Sequence, residues 1–207
     1  MGMMINRRRY MGEVKESILP PGYTLLDYIE NNSAAYINLN IKTSPSHRYE
    51  FEIYSNTGNN SAIFGSGGTD VANYMLWSVR FPSDGIKFYL PTSNYYLSSR
   101  DDKFHKFIVD FPNSFVQFDN EEQISIYNTS STILFYSEFL FAYSRVGNVD
   151  AGYRLLGGCK SYKVFDNNVP ICDLIPCMSA DNIVGMYDIV REQFFGPATS
   201  DVFIAHY

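Results

Sequence analysis

Glu50 and Glu52 stand two positions apart and are the first residues whose spacing could do chemistry. On a strand they would project from one side, and a pair of carboxyl groups flanking a sugar is the machinery of glycoside hydrolysis. The run around them reads Tyr49, Phe51, Ile53, Tyr54, Ser55, with no third carboxylate, so the pair reads better as solvated strand-face charge. His47, His105 and His206 lie far apart in sequence. No Gly-x-Ser-x-Gly elbow, phosphate loop or His-Glu-x-x-His helix occurs. Cys159, Cys172 and Cys177 are an odd set at irregular spacing, which suits buried free thiols better than a disulfide framework or a zinc site. A Cys172–Cys177 bridge would have to form within one strand. No catalytic residue is assigned, and the chain reads as a non-enzyme.

Binding chemistry has better material. Sugar rings stack on aromatic faces while polar neighbours fix their hydroxyls. Trp77, the single tryptophan, with Tyr95 and Tyr96 nearby, forms the candidate carbohydrate platform. Trp77 has a competing role as a core anchor. Asp70, Asp101, Asp102 and Asp119 sit in loop-like places, where calcium could bind, but nothing resembles a dense oxygen-ligand loop. No metal or other cofactor is assigned.

The elements that must position these residues are strands. Tyr49, Phe51 and Ile53 alternate with Glu50 and Glu52, the period of a half-buried strand. Short runs of similar character recur from residue 33 to residue 195, separated by Asn56–Asn60, Ser83-Asp84-Gly85, Asp119-Asn120 and Asp166–Asn168. Residues 24–30 read as a short strand or a single turn, and Pro176 as a strand end. No helical period stands out. Many short strands with regular turns predict an antiparallel two-sheet sandwich, jelly roll or barrel.

Aromatics make up 16% of the 207 residues and charges only 18%, which excludes intrinsic disorder. A sandwich core accounts for most of those rings. The net charge of -6 argues against general nucleic-acid or anionic-membrane binding. No targeting segment or membrane-length apolar run is visible. Asn31, Asn59 and Asn128 begin glycosylation sequons, read here as chance. Residues 1–18 differ from the rest: Arg7, Arg8 and Arg9 are consecutive, three methionines precede them, and apolar alternation is missing. They read as an N-terminal arm that docks on a partner, with residues 19–207 as the domain.

Both ends of that domain carry more specific patterns. Leu19-Pro20-Pro21-Gly22-Tyr23-Thr24-Leu25-Leu26-Asp27-Tyr28-Ile29-Glu30, followed by Ala35-Tyr36-Ile37, resembles the opening "LPxGYTxLeYIessgxqYI". That opening belongs to LamG-like, concanavalin A-like jelly-roll proteins of phages and prophages of gut bacteria. Asp102–Lys106 is similar to the family's mid-domain "drHtvk" strand, and Tyr162–Asn168 to its "fkIydng" hairpin. Asp173–Cys177 is similar to "DfIPc", and Val184–Val190 with Phe194-Phe195-Gly196 to "vGmYDlvtgkfy". The resemblance implies an all-β jelly roll with Tyr187 and Phe194 inside it and Asp188 bonding loop amides. It further implies a virion structural or decoration protein whose arm meets other virion proteins, with homo-oligomers left open. A carbohydrate-binding module for host capsule or mucus glycan is the alternative. Asp119-Asn120 and Val190–Gln193 depart from the family's usual turns and leave those loop geometries open.

Overall fold

Inward and outward side chains alternate strictly along the nine residues 47–55, a strand at the middle of the structure. The structure, a computed structural model, describes residues 18–56, 61–64, 66–67, 77–82, 85–90, 93–98, 101–126, 137–145 and 148–207. Among them the chain forms β1 (Thr24–Leu25), β2 (Tyr28–Asn31), β3 (Ile37–Lys42), β4 (His47–Ser55), β5 (Ser61–Phe64), β6 (Ser66–Gly67) and β7 (Ser78–Phe81). It continues with β8 (Ile86–Leu90), β9 (Ser93–Ser98), β10 (His105–Asp110), β11 (Phe115–Phe118), β12 (Ile124–Ser125) and β13 (Ser137–Leu140). The last are β14 (Ala142–Arg145), β15 (Asn148–Arg154), β16 (Gly157–Asp166), β17 (Val169–Met178), β18 (Val184–Asp188), β19 (Gln193–Phe195) and β20 (Ile204–His206). No helix occurs among the described residues.

The protein is an all-β sandwich. One layer is a large antiparallel sheet in the order β12-β11-β10-β4-β16-β17-β18-β19, with β1 added on β17, β2 on β16 and β20 on β2. The other is assembled from three smaller sheets: β5-β7-β8-β9, β13-β3 and β15-β14-β6. In β4, Tyr49, Phe51 and Ile53 point inward and Arg48, Glu50, Glu52 and Tyr54 outward, as the alternation requires. The layers meet through rings: Trp77 lies 4.7 Å from Tyr49 on one side and 6.3 Å from Phe88 on the other. Phe81 meets Phe107 at 6.3 Å.

A second, smaller cluster lies on the opposite side of the large sheet. Leu19, Cys177 and Tyr187 form it, with Tyr23, Ile175, Ile189 and Phe194 packed around them. Tyr187 and Phe194 are therefore not inside the jelly roll as expected. Their neighbours Met186 and Phe195 take the core side, and Tyr23 meets Tyr187 and Phe194 edge-on at 5.6 and 5.7 Å. Pro176 does not end its strand either; β17 runs on to Met178, and the Pro176 carbonyl accepts from Leu26 N–H. Residues 24–30 carry two short strands, β1 and the start of β2.

The three cysteines are free and buried. Cys172 faces the main core and Cys177 the second cluster, so the two thiols lie on opposite sides of β17. Asn31 is buried, and its side-chain amide donates to the carbonyls of Ala35 and Leu155, so this sequon is structural.

Candidate functional site

Trp77, Tyr95 and Tyr96 separate in the structure. Trp77 is 0% exposed among Tyr49, Phe51, Phe88 and Phe111, so it offers no face to a ligand and is a core residue. Tyr95 turns inward as well, packing on the core beside Phe88. Tyr96 turns outward and is 57% exposed. Adjacent residues of β9 thus take opposite roles, as a two-residue period demands.

What holds Tyr96 is Gly85. Its φ of +144° is one that side chains rarely adopt, and a Cβ there would collide with the Tyr96 ring and the Ser98 carbonyl. The ring therefore lies across a glycine gap while its outer surface stays open to solvent. Lys87 of β8 is the direct cross-strand partner of Tyr96. Tyr89, two residues along, is turned to the same side. Two tyrosines and an ammonium thus share the outward side of the β8–β9 pair.

A second aromatic group sits on the outward side of the large sheet, drawn from four separate stretches. Tyr28 stacks on His206 at 4.0 Å, and meets Phe104 and Tyr54 edge-on at 5.0 and 6.0 Å. Lys160 Nζ lies 4.3 Å over the Phe104 ring. Glu30 ties the group together, paired with His206 Nε2 at 2.8 Å and accepting from Asn56 Nδ2 at 3.3 Å. Burial and the nearby Glu30 carboxylate push the Tyr54 phenol well up. These rings cover one another and join β2 to β20, a structural clasp more than an open platform.

Glu50 and Glu52 face outward together, as read from the sequence. Arg48 pairs with Glu50, and Lys160 Nζ lies 3.2 Å from Glu52 Oε1. Both carboxylates are engaged by neighbouring cations on an open sheet surface, which suits strand-face charge. Asp101 and Asp119 bracket a histidine instead of a cation: their carboxylates lie 2.7 and 2.9 Å from Nε2 and Nδ1 of His105. Asp119 takes a left-handed φ of 49° and also accepts from Lys106 N–H, which resolves the turn left open by Asp119-Asn120. Among the described residues no cluster of three His, Cys, Asp or Glu side chains is arranged to hold a metal. Arg7, Arg8, Arg9, Asp70 and residues 73–76 lie outside the described residues.

Two carboxylates that spacing does not single out are buried and densely hydrogen-bonded. Glu138 accepts from Thr43 Oγ1 at 2.7 Å, Tyr49 Oη at 2.5 Å and Tyr162 Oη at 2.9 Å. Asp188 accepts from the amides of Asp173, Val190 and Arg191 and pairs with Arg191 Nε. Arg191 also donates to the Leu39 carbonyl at 2.8 Å. Both carboxylates are shut off from solvent by their own partners and fix loops and layers.

No known protein family matches the chain, and no curated protein does. Solved structures of similar shape include the CBM40 of the Ruminococcus gnavus IT-sialidase, at 14% identity and a TM-score of 0.46 over 72% of this chain and 92% of that one. A K499G mutant of NanB sialidase from Streptococcus pneumoniae aligns at 12% identity and a TM-score of 0.47, over 89% of this chain. NanB with Optactamide aligns at 12% identity and a TM-score of 0.46, over 92% of this chain. The chain spans 39% of the length of both NanB structures. At this distance nothing about ligand or activity passes to the present chain.

Proposed function

We propose that this domain is a non-catalytic carbohydrate-binding module whose platform is Tyr96. The observation that carries the reading is a ring seated over Gly85 yet more than half open to solvent. A ring already held in place loses little freedom when a sugar stacks on it, so most of the stacking energy appears as affinity. Tyr89 and Lys87 supply a second ring and a polar group at the same surface. The test is a glycan array followed by titration of any hit with the Tyr96→Ala variant. Binding that disappears in Tyr96→Ala, with the melting temperature kept, supports the reading. An array with no signal at high protein concentration refutes it.

The context in which the module works follows from the two end motifs. The resemblance of residues 19–37 and 173–196 to phage jelly-roll proteins supports display on a virion made in a bacterial host. Asp188 receives the loop amides that this resemblance calls for. The arm would dock through Arg7, Arg8 and Arg9 on an acidic surface of another virion protein. Unchanged particle incorporation after deletion of residues 1–18 would refute the docking role.

A further inference from the structure

Two buried hydrogen-bond donors at one end of the sandwich have no acceptor. Arg154 closes β15 and is partly buried. Its Nε is shut off from solvent with no hydrogen-bond partner, and it makes no ion pair among the described residues. Arg48 and Arg191 differ, since their guanidiniums hold the carboxylates of Glu50 and Asp188. A guanidinium stays charged and can only donate, so an enclosed Nε–H without an acceptor is destabilising. The Ser33 hydroxyl is the second such group.

One side chain ties the two stretches together. The buried Asn31 carboxamide donates to the Leu155 carbonyl at 2.9 Å and the Ala35 carbonyl at 3.0 Å, and its Oδ1 accepts from Ser33 N–H at 3.1 Å. The residue after Arg154 and the backbone of Ser33 are thus one carboxamide apart. Leu155 N–H donates in turn to the Phe141 carbonyl at 3.1 Å, and the Leu156 carbonyl accepts from Asn56 N–H at 3.0 Å and Ser55 Oγ at 3.3 Å. Both donors therefore stand on backbone that is fixed before a ligand arrives, which lowers the ordering cost of binding. We infer that Arg154 and Ser33 form a binding site for a single carboxylate. The planar fork of a guanidinium matches the two oxygens of a carboxylate, and a charge-assisted hydrogen bond is roughly twice as strong as a neutral one. One cation balances one negative charge, so a carboxylate suits the site better than a phosphate dianion. Tyr96 stands on β9, in a different sheet from β15, so this site goes beyond the Tyr96 reading and does not rest on it.

The test titrates the full chain with acetate, glucuronate, glucose and inorganic phosphate, with sodium chloride at matched ionic strength as the control. Acetate and glucuronate should move the Arg154 Nε–H resonance, assigned by NMR from its loss in Arg154→Lys, along a saturable curve, and glucose should not. Both carboxylates should raise the melting temperature of the wild type and of Tyr96→Ala, but not that of Arg154→Met, which keeps an apolar stem and removes the donors. Ser33→Ala should weaken acetate binding roughly tenfold, the loss of one hydrogen bond to a charged group. Without ligand, Arg154→Met should melt no lower than the wild type, because the Nε–H it removes had no partner. Glucuronate binding ahead of acetate points to a sugar acid and equal binding to a bare carboxylate; either upholds the site. An Arg154 Nε–H resonance that no carboxylate moves, or that sodium chloride moves as far, would overturn the inference. Tighter binding of phosphate would overturn the choice of a carboxylate. A response lost in Tyr96→Ala and kept in Arg154→Met would put the ligand on the other surface and overturn the inference as well.

Discussion

Glu138 and Asp188 are both buried, and their surroundings push them in opposite directions. At Glu138 burial raises the carboxyl above its ordinary value of 4.5 and outweighs the hydrogen bonds from Tyr49, Thr43 and Tyr162 that favour the ion. Such a group holds its proton more tightly folded than unfolded. Its contribution is full below the unfolded value and lost as pH rises through the folded one. Glu138→Gln should therefore flatten the fall in stability as pH rises above the ordinary carboxyl value of 4.5, read from urea midpoints across pH. A slope unchanged by the substitution would count against it. At Asp188 burial again raises the carboxyl, but the amides of Asp173 and Val190 and the Arg191 guanidinium overcome it and hold the value below 3.8. Here the stabilisation is full above 3.8 and lost as pH falls through the lower, folded value. Asp188→Asn leaves Arg191 facing an amide and should cost about 3 kcal/mol near neutrality, a penalty that shrinks in acid. Denaturant melts at neutral and acid pH would expose a penalty that fails to shrink.

At the scale of elements, β4 shows what a single sequence can reveal. Its inward Tyr49, Phe51 and Ile53 alternate with charges, so both the strand and its orientation were readable before any partner was known. β18 shows the limit. It is covered on both sides, by the main core at Met186 and by Leu19 and Tyr23 at Tyr187, and alternation cannot say which apolar side is the larger core. β9, β15 and β20 carry no strong period of their own and exist because neighbouring strands offer hydrogen-bonding edges. The platform was half readable for the same reason: Tyr96 was in view as a candidate, whereas Gly85 beneath it and Lys87 beside it emerge only from strand register. Two predictions belong here. Leu19→Ala should cost about 2 kcal/mol by opening the second cluster, measured as a lowered urea midpoint. Gly85→Ala forces a Cβ into the Tyr96 ring and should cost about 2 kcal/mol. It should also weaken glycan binding, although Gly85 need not touch the ligand. Full affinity in a folded Gly85→Ala variant would mean that the seat under Tyr96 is unimportant.

For the whole molecule, the single tryptophan is placed where the two layers meet. Trp77 touches Tyr49 and Phe51 of the large sheet and Phe88 of the opposite layer, so separating the layers must expose it. Its emission should therefore report global unfolding, shifting to the red in one step with the loss of β circular dichroism. Iodide should quench it poorly in the native protein and freely in urea. Trp77→Ala removes the largest fully buried side chain and should cost about 4 kcal/mol from the cavity left behind. The same placement makes a clean discrimination on function. A ligand stacked on Tyr96 lies on the far side of the β8–β9 pair from Trp77, so saturating glycan should leave the tryptophan emission maximum and iodide quenching unchanged while raising the melting temperature. Strong protection of Trp77 from iodide by glycan would require an open route to the core. That would return Trp77 to the candidate platform and displace Tyr96 from it.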